Sequence, residues 1–424
     1  LKLIKKGVIR ELAVEALKIL ILTSLYPPLG HSGHDERCRE AAGRLSRRGH
    51  RLQVITSDHR LPPFGGLDEK GVFRELCRFE DSLKSSVLGR DFVATEAHEM
   101  HNAEVFEYRL RRFEPDLVYV WNMDGLSKSL LFRVQRKGIP IVFDLHAEWL
   151  AGENFELDPW FRWWFAHSDF RSNFRKKLFS VSSAKRKKLQ TLPIAPASEL
   201  DLSRSYLCSE SLRSTLESAG VSGVDSLPVI YPFVNEDSMV PKENYSRKRH
   251  FMWAGRVTHS KGPDLAINAV ESLRDRGINI KLDVFGMGEQ AERKALRMRI
   301  VEKGLEDAVQ MQGIRPGELR EHYQNYDALL FTSRFDDPFP MTVLEAMSSK
   351  LPCILADTGG VSEIVTDSVN AILFERDDAP SLAAAIERFL ALRDGGETIA
   401  NRCIQSLRAP NNLDKMLSHI ESQL

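Results

Sequence analysis

The sequence predicts an α/β protein of two doubly wound lobes facing a central cleft, and three observations predict it. Its 424 residues are too many for one ordinary core and suit two domains of about 200 residues each. Short, continuous apolar runs closed by polar turns alternate with amphipathic segments, which is how parallel strands covered by helices on both faces read. That alternation occurs twice, the two series separated by the polar stretch Asn235 to Arg249 with its Pro241 and several charges.

In the first series KILILTS, from Lys18, reads as a buried strand. An amphipathic helix follows over Asp35 to Arg48 and stops at Gly49-His50. RLQVITS, PDLVYVWN and IPIVFDLH read as further strands, with the helix LSKSLLFRVQRKG ending at Gly138. In the second series HFMWAGR, IKLDVFG, AVQMQG, ALLFTS and PCILAD are the strands. The expected domains are residues 1–235 and 236–410, and the amphipathic stretch 411–424 is expected to cross back to the first lobe. Right-handed βαβ units put the carboxyl ends of both sheets, where such folds bind ligands, at the cleft between the lobes.

Composition narrows the function. The chain is 42% hydrophobic and 28% charged, with 59 basic against 59 acidic residues. A protein that holds nucleic acid by bulk charge carries a basic excess, so no nucleic-acid partner is expected. The five cysteines, Cys38, Cys77, Cys208, Cys353 and Cys403, are scattered without metal-ligand spacing. They imply no disulfide framework and favour a reducing, cytoplasmic setting. The start, LKLIKKGVIRELAVEALKILILTS, has a basic beginning and an apolar run. That run is short, Glu11 and Glu15 precede it, and Tyr26-Pro27-Pro28 follows without a small-residue cleavage site, so it is not read as a secretory leader. Nowhere do about 18 apolar residues follow one another, and no membrane-spanning helix is expected.

The most informative segment is SRFDDPFPMTVLEAM, Ser333 to Met347. Pro338 and Pro340 keep its first part out of a helix, whereas VLEAM reads as helical. Asp337 therefore sits in a loop and a helix begins close behind it. The free amides of that terminus, those of Met341 and Thr342, favour a phosphate. Glu345, one turn in, is placed to accept bonds from hydroxyls such as those of a ribose. Taken alone, the two carboxylates also fit a loop–helix junction with a solvated Glu.

The segment resembles the signature of the retaining GT-B glycosyltransferases of the family 4 type (glycosyl transferases group 1), in which a Glu, seven residues and a second Glu precede Ala-Met. Four further stretches resemble that family in order. GRVTHSKGPDLAINAV carries Arg256 and Lys261, VFGMGEQ carries Gly286 and Gly288, VQMQGIRPGELREHYQNYDALLFTS surrounds Gly313 to Arg315, and TGGVSEIV carries Gly359, Gly360 and Glu363. In the first lobe Gly33 stands sixteen residues before Gly49-His50, with Ser32 where a paired glycine is usual. IPIVFDLHAEW resembles the strand ending in a His that faces the donor sugar, here His146 followed by Ala147 where Asp is usual.

The resemblance implies a GT-B architecture of two Rossmann-like lobes and transfer of a sugar from a nucleotide-diphosphate sugar. The family's roles map onto this chain as Arg256 and Lys261 on the diphosphate, aided by the Met341 and Thr342 amides. Glu345 would hold the ribose, Asp337 the sugar hydroxyls, and His146 the sugar from the opposite lobe. Gly33, Gly359 and Gly360 would let the backbone approach the diphosphate, and Gly313 and Ile314 would hold the base. Neither a catalytic metal nor a further cofactor is expected, because two cations and helix amides supply the charge stabilisation that a metal supplies elsewhere. Asp337 stands where Glu is usual, and Pro340 replaces a common Gly and removes an amide.

Each residue also has a plainer explanation: surface charges for Arg256 and Lys261, a packed histidine for His146, a tight turn for Gly359 and Gly360. Two competing functions remain, a sugar-nucleotide epimerase on the same fold and a non-catalytic nucleotide-sugar-binding subunit. The acceptor, a glycan, lipid-linked glycan or small molecule, is not legible. Residues 158–188 interleave three Trp and five Phe with nine Lys or Arg. They fit a helix with its aromatics inward or an element lying on the inner face of a membrane; a single-stranded nucleic-acid contact, which could use a similar composition, fits the balanced charge least.

Overall fold

The computed structural model describes residues 16–29, 32–59, 69–79, 90–165, 187, 190–246, 248–313, 318–408 and 412–424. Ile314, Arg315, the first fifteen residues and most of 158–188 lie outside them.

The first sheet is formed by β1 (Lys18–Thr23), β2 (Arg51–Ser57), β3 (Val72–Leu76), β4 (Leu117–Asn122), β5 (Ile141–Leu145) and β6 (Tyr206–Leu207), in the spatial order β3-β2-β1-β4-β5-β6. The second is formed by β7 (His250–Ala254), β8 (Lys281–Phe285), β9 (Val309–Gln312), β10 (Ala328–Phe331), β11 (Cys353–Ala356) and β12 (Ile372–Phe374), ordered β12-β11-β10-β7-β8-β9. Every strand pair is parallel. Counted from its own first strand, each sheet runs 3-2-1-4-5-6, the order whose reversal point opens a crevice between strands 1 and 4. Those strands are β1 and β4 in the first lobe, β7 and β10 in the second.

The central strands are buried along their length, as apolar runs such as ILIL and LVYVW require when helices cover both faces. In the first lobe these helices include α1 (Gly33–Arg47), α2 (Arg90–Phe113), α3 (Ser129–Arg136), α4 (Gly152–Phe155), α5 (Pro159–Phe165) and α6 (Glu210–Ser218). The second lobe carries α7 (Pro263–Asp275), α8 (Gln290–Glu302), α9 (Leu319–His322), α10 (Met341–Ser348), α11 (Ala379–Leu390) and α12 (Glu397–Arg408). In α5, Trp160, Phe161 and Trp164 are buried in the first lobe's core, while Leu157 and Phe165 on either side are exposed. Among the described residues no helix is long and apolar enough to cross a membrane.

The last helix, α13 (Asn412–Glu421), packs on the first sheet. Met416, Leu417 and Ile420 join Ile19, Ile21, Ala41, Leu45, Tyr119 and Trp121 in one buried cluster. Arg48 reaches Asp414 at 2.6 Å and Glu421 at 3.0 Å, and His50 Nε2 lies 3.0 Å from Glu421. A second tie between the lobes is made by Glu363, whose carboxylate accepts the backbone N–H groups of Glu210 (3.0 Å) and Ser211 (2.7 Å) at the start of α6. A carboxylate at a helix N-terminus satisfies donors with no partner inside the helix and interacts favourably with its dipole.

Candidate functional site

The loops leaving β1, β5, β7 and β10 converge on the crevice between the lobes. Ser32 starts α1 with a capping box. Its hydroxyl accepts the Asp35 N–H at 3.1 Å, while the Asp35 carboxylate accepts the Ser32 N–H at 3.0 Å. Gly33, the first residue of α1, faces the first residue of α10 across the crevice. A Cβ at position 33 would lie 2.7 Å from Met341 Cβ, closer than two carbons approach, so only glycine lets the lobes meet here. Two helix N-termini thus point at one place. The Met341 and Thr342 amides have no acceptor among the described residues, and α10 has no side-chain cap. Together they make a locally positive spot without any side-chain charge.

Lys261 and Asp337 enter from the loops after β7 and β10, and their side chains form an ion pair. Both loops are rigidly held. The Thr332 hydroxyl donates to the carbonyls of Lys261 (3.0 Å) and Gly262 (2.7 Å), and itself accepts the Trp253 indole N–H at 2.8 Å. Arg334 binds Asp264 through two nitrogens, at 2.7 and 2.8 Å, and Asp377 at 2.6 Å. These bonds raise the Arg334 pKa against the effect of its burial. The Lys261 ammonium also lies 4.6 Å from the Phe335 ring centroid, near enough for a cation–π attraction. Arg256 is exposed, and its guanidinium makes no hydrogen bond or ion pair with a described residue.

Gly359 and Gly360 press on the backbone of the Asp337 loop. The Gly360 N–H donates to the Asp337 carbonyl at 3.0 Å. A Cβ on Gly359, whose φ is +64°, would meet that same oxygen at 2.1 Å, and one on Gly360 would meet the Pro338 carbonyl at 2.0 Å. Their smallness therefore fixes where Asp337 sits. Gly313 follows β9 directly, and an added Cβ there would touch nothing described.

Glu345 lies one turn into α10, buried, with Oε2 accepting the Tyr323 hydroxyl at 3.0 Å and Oε1 3.9 Å from Arg320 Nε. Burial raises its pKa, with Arg320 and Tyr323 acting in the opposite direction. Oε1 lies 4.0 Å from the Cβ position of Gly33, so this oxygen looks into the crevice.

His146 leaves β5 half-buried on the first-lobe wall. Its Nδ1 lies 3.0 Å from the Asp144 carbonyl, and its ring stacks on that of His34 with centroids 3.0 Å apart. Beneath the two rings is a buried network that sequence reading missed. Arg37 Nη2 donates to both Asp144 oxygens at 2.6 and 2.8 Å, and the Tyr206 hydroxyl donates to Asp144 at 2.7 Å. Burial alone would raise the Asp144 pKa; Arg37, His146 and Tyr206 together outweigh it, and the net shift is downward. His34 is driven well below the usual imidazole range, by burial first and then by His146 and Arg37. His34, Asp144 and His146 bring one ligand atom each within 4.8 Å of one another, a spacing that could hold a metal ion. Arg37 already neutralises that carboxylate and lies 3.3 Å from His34 Nδ1, and a second cation here would meet like-charge repulsion.

Of the residues singled out from sequence, the structure brings together Gly33, Met341, Thr342 and Glu345 at the facing helix starts. It joins Lys261, Asp337, Gly359 and Gly360 in the adjoining loops. His146 stands on the opposite wall, and the Arg256 side chain makes no hydrogen bond or ion pair with any of them. Arg37 and Asp144 carried a weak signal, four residues after Gly33 and two before His146. Tyr323 carried none, being 22 residues from Glu345.

This architecture, two six-stranded parallel sheets flanked by helices around a shared cleft, defines an α/β protein of the GT-B class. Two family models match within it: glycosyl transferases group 1 over residues 234–408 and the glycosyl transferase 4-like domain over residues 32–200. The chain is 28% identical over 187 residues to the lipopolysaccharide 1,6-galactosyltransferase of Escherichia coli, covering 43% of this chain and 51% of that protein. It spans about half the length of the curated relatives it matches. In fold it is similar to the Anabaena protein Alr3699/HepE, crystallised with UDP-glucose, at a TM-score of 0.64 and 18% identity over 96% of this chain and all of the other. It is similar also to the sucrose-phosphate synthase of Thermosynechococcus elongatus, at a TM-score of 0.67 and 16% identity over 95% and 97% of the two chains.

Proposed function

We propose that this protein is a glycosyltransferase that moves a sugar from a nucleoside diphosphate sugar to an acceptor hydroxyl, with retention of configuration and without a catalytic metal. The observation that carries the proposal is the meeting of two helix N-termini at Gly33 and Met341 beside Lys261, with the carboxylates of Asp337 and Glu345 flanking that spot. A diphosphate needs concentrated positive charge, and a sugar and a ribose need acceptors for their hydroxyls. The arrangement offers both within one crevice.

In this reading the diphosphate lies against the Met341 and Thr342 amides and Gly33. Lys261 leaves Asp337 to meet the phosphate, and Asp337 turns to the sugar hydroxyls. Glu345 receives the ribose, and His146 contacts the sugar from the other wall. Arg256, exposed and unpaired among the described residues, swings onto the diphosphate as it takes up charge. The bond from the anomeric carbon to the phosphate oxygen breaks, and the acceptor oxygen bonds that carbon on the same face. The acceptor's proton passes to the departing phosphate. Electrostatic stabilisation of the leaving diphosphate does most of the work. Gly313 lies against the base.

The nucleotide is tested by thermal shift with UDP, GDP, ADP and dTDP, each with and without Mg²⁺. Uridine comes first because a structural neighbour was crystallised with UDP-glucose. A ligand that binds only the folded state raises Tm by mass action. One nucleotide should raise it equally with and without Mg²⁺, and the rise should vanish in Lys261→Ala. If no nucleotide raises it, the proposal fails.

The acceptor in this reading is a glycan or lipid-linked glycan, in keeping with a relative named for lipopolysaccharide. The protein then works on the cytoplasmic side of a membrane, touching its surface near α5, where exposed Leu157 and Phe165 flank the buried tryptophans. Co-sedimentation with liposomes containing anionic lipid is expected, with less on neutral liposomes. Absence from both pellets would remove the membrane contact.

A further inference from the structure

Among the described residues the Glu345 carboxylate makes one hydrogen bond, and that bond goes to only one of its oxygens. Tyr323 sits at the end of α9, is fully buried, and donates its hydroxyl to Oε2 at 3.0 Å. Its other neighbouring acceptor, the Thr342 carbonyl, is at 3.4 Å. Oε1 has no hydrogen bond among the described residues: Arg320 Nε stands off at 3.9 Å, and Arg320 spends another nitrogen on the Ser238 hydroxyl at 3.1 Å. The two carboxylate oxygens are therefore unequal. One is anchored in the second lobe's core, and the other faces Gly33 across the crevice.

We propose that Tyr323 is a positioning residue for the donor's ribose: by tethering Oε2 it aims Oε1 of Glu345 at the ribose hydroxyls. The inference rests on the reading that Glu345 receives the ribose. A tethered carboxylate cannot rotate away, so little ordering is left to be done when the nucleotide arrives. Burial drives the Tyr323 pKa well above its usual range, which keeps the hydroxyl a donor at any working pH. The carboxylate also faces repulsion from Glu36 on α1, so without the tether it would have reason to turn.

The test is isothermal titration calorimetry with the ribonucleoside diphosphate that binds best and with its 2′-deoxy and 3′-deoxy forms. The proteins are wild type, Tyr323→Phe, Glu345→Gln and the double variant. Wild type should prefer the ribonucleotide by about tenfold, the worth of one hydrogen bond to a charged group. Tyr323→Phe should erase that preference by weakening the ribonucleotide alone, leaving the deoxy forms unchanged. A structural defect would weaken all three together, and that result, or no change, overturns the inference while leaving Glu345 as the ribose ligand. If wild type and Glu345→Gln bind all three equally, the Glu345 reading itself falls, and this inference with it. Should Tyr323→Phe not fold, the double variant lacks the stranded carboxylate and supplies the comparison. Affinities equal to those of Glu345→Gln support the tether, and a further loss specific to the ribonucleotide overturns it.

Discussion

Replacing Lys261 with alanine is expected to lower sugar transfer by about 10²–10³-fold, the usual loss when one preorganised group facing developing negative charge is removed. The size follows from position. Lys261 stands on a loop whose carbonyls are bonded by Thr332, so in the proposed mechanism its backbone is already placed and only the side chain has to pass from Asp337 to the diphosphate. The substitution has a second consequence, because Asp337 loses the partner it holds in this state and is left without it in a buried site. Nucleotide affinity should therefore fall along with the rate. Lys261→Arg separates the two, keeping the charge while changing its shape, and should recover part of the activity but not all. The measurement is single-turnover consumption of the nucleotide sugar, with water as acceptor if no better one is in hand. An unchanged rate in Lys261→Ala would remove this residue from the chemistry.

The second large effect concerns stability. Asp144→Asn leaves the Arg37 guanidinium buried without a counter-charge, and breaking a buried pair in this way costs about 3–5 kcal/mol. For a domain of this size that corresponds to a fall in Tm on the order of 10 °C, read by calorimetry of the whole chain. The pH dependence has a definite sign. The Asp144 pKa is lower in the folded chain than in the unfolded one, so its contribution is fully present above the unfolded value of about 4. It is lost as pH falls through the folded value. The variant should therefore lose less stability than wild type on acidification below about pH 4. Replacing both partners by apolar residues, Arg37→Met with Asp144→Leu, should recover much of the loss, since the penalty lies in the unpaired charge. A single variant as stable as wild type would show that the pair is not buried as drawn.

The central strands were legible because their physics is local. KILILTS, HFMWAGR and ALLFTS are continuous apolar runs with polar stops, and nothing distant is needed to read them. Three edge strands escaped that reading. β3 carries Arg74 and Glu75 in five residues, β6 is two residues long and β12 three. Neighbours, more than their own periodicity, make them strands. The start of α10 was readable from Pro338, Pro340 and the helical VLEAM. The pairing of Lys261 with Asp337 joins residues 76 apart in sequence, and the bond from Tyr323 to Glu345 joins elements with no shared motif, so only folding reveals them. Ser32 in place of a glycine drew notice as a departure. In the structure its hydroxyl and backbone N–H form the capping box of α1, which the glycine could not supply. No comparable account emerges for Gly313, where an added Cβ would meet none of the described residues.

The seat of α13 bears on how the chain comes to be folded at all. Synthesis runs from residue 18 toward residue 420, yet the apolar face around Ile21, Ala41 and Leu45 is covered by Met416, Leu417 and Ile420. The lobe made first is thus the lobe completed last, and it waits with a greasy face open through the making of the entire second sheet. Such a nascent chain is a natural client for chaperones. Expressing the first lobe alone, cut near residue 235, would leave it in that unfinished state for good.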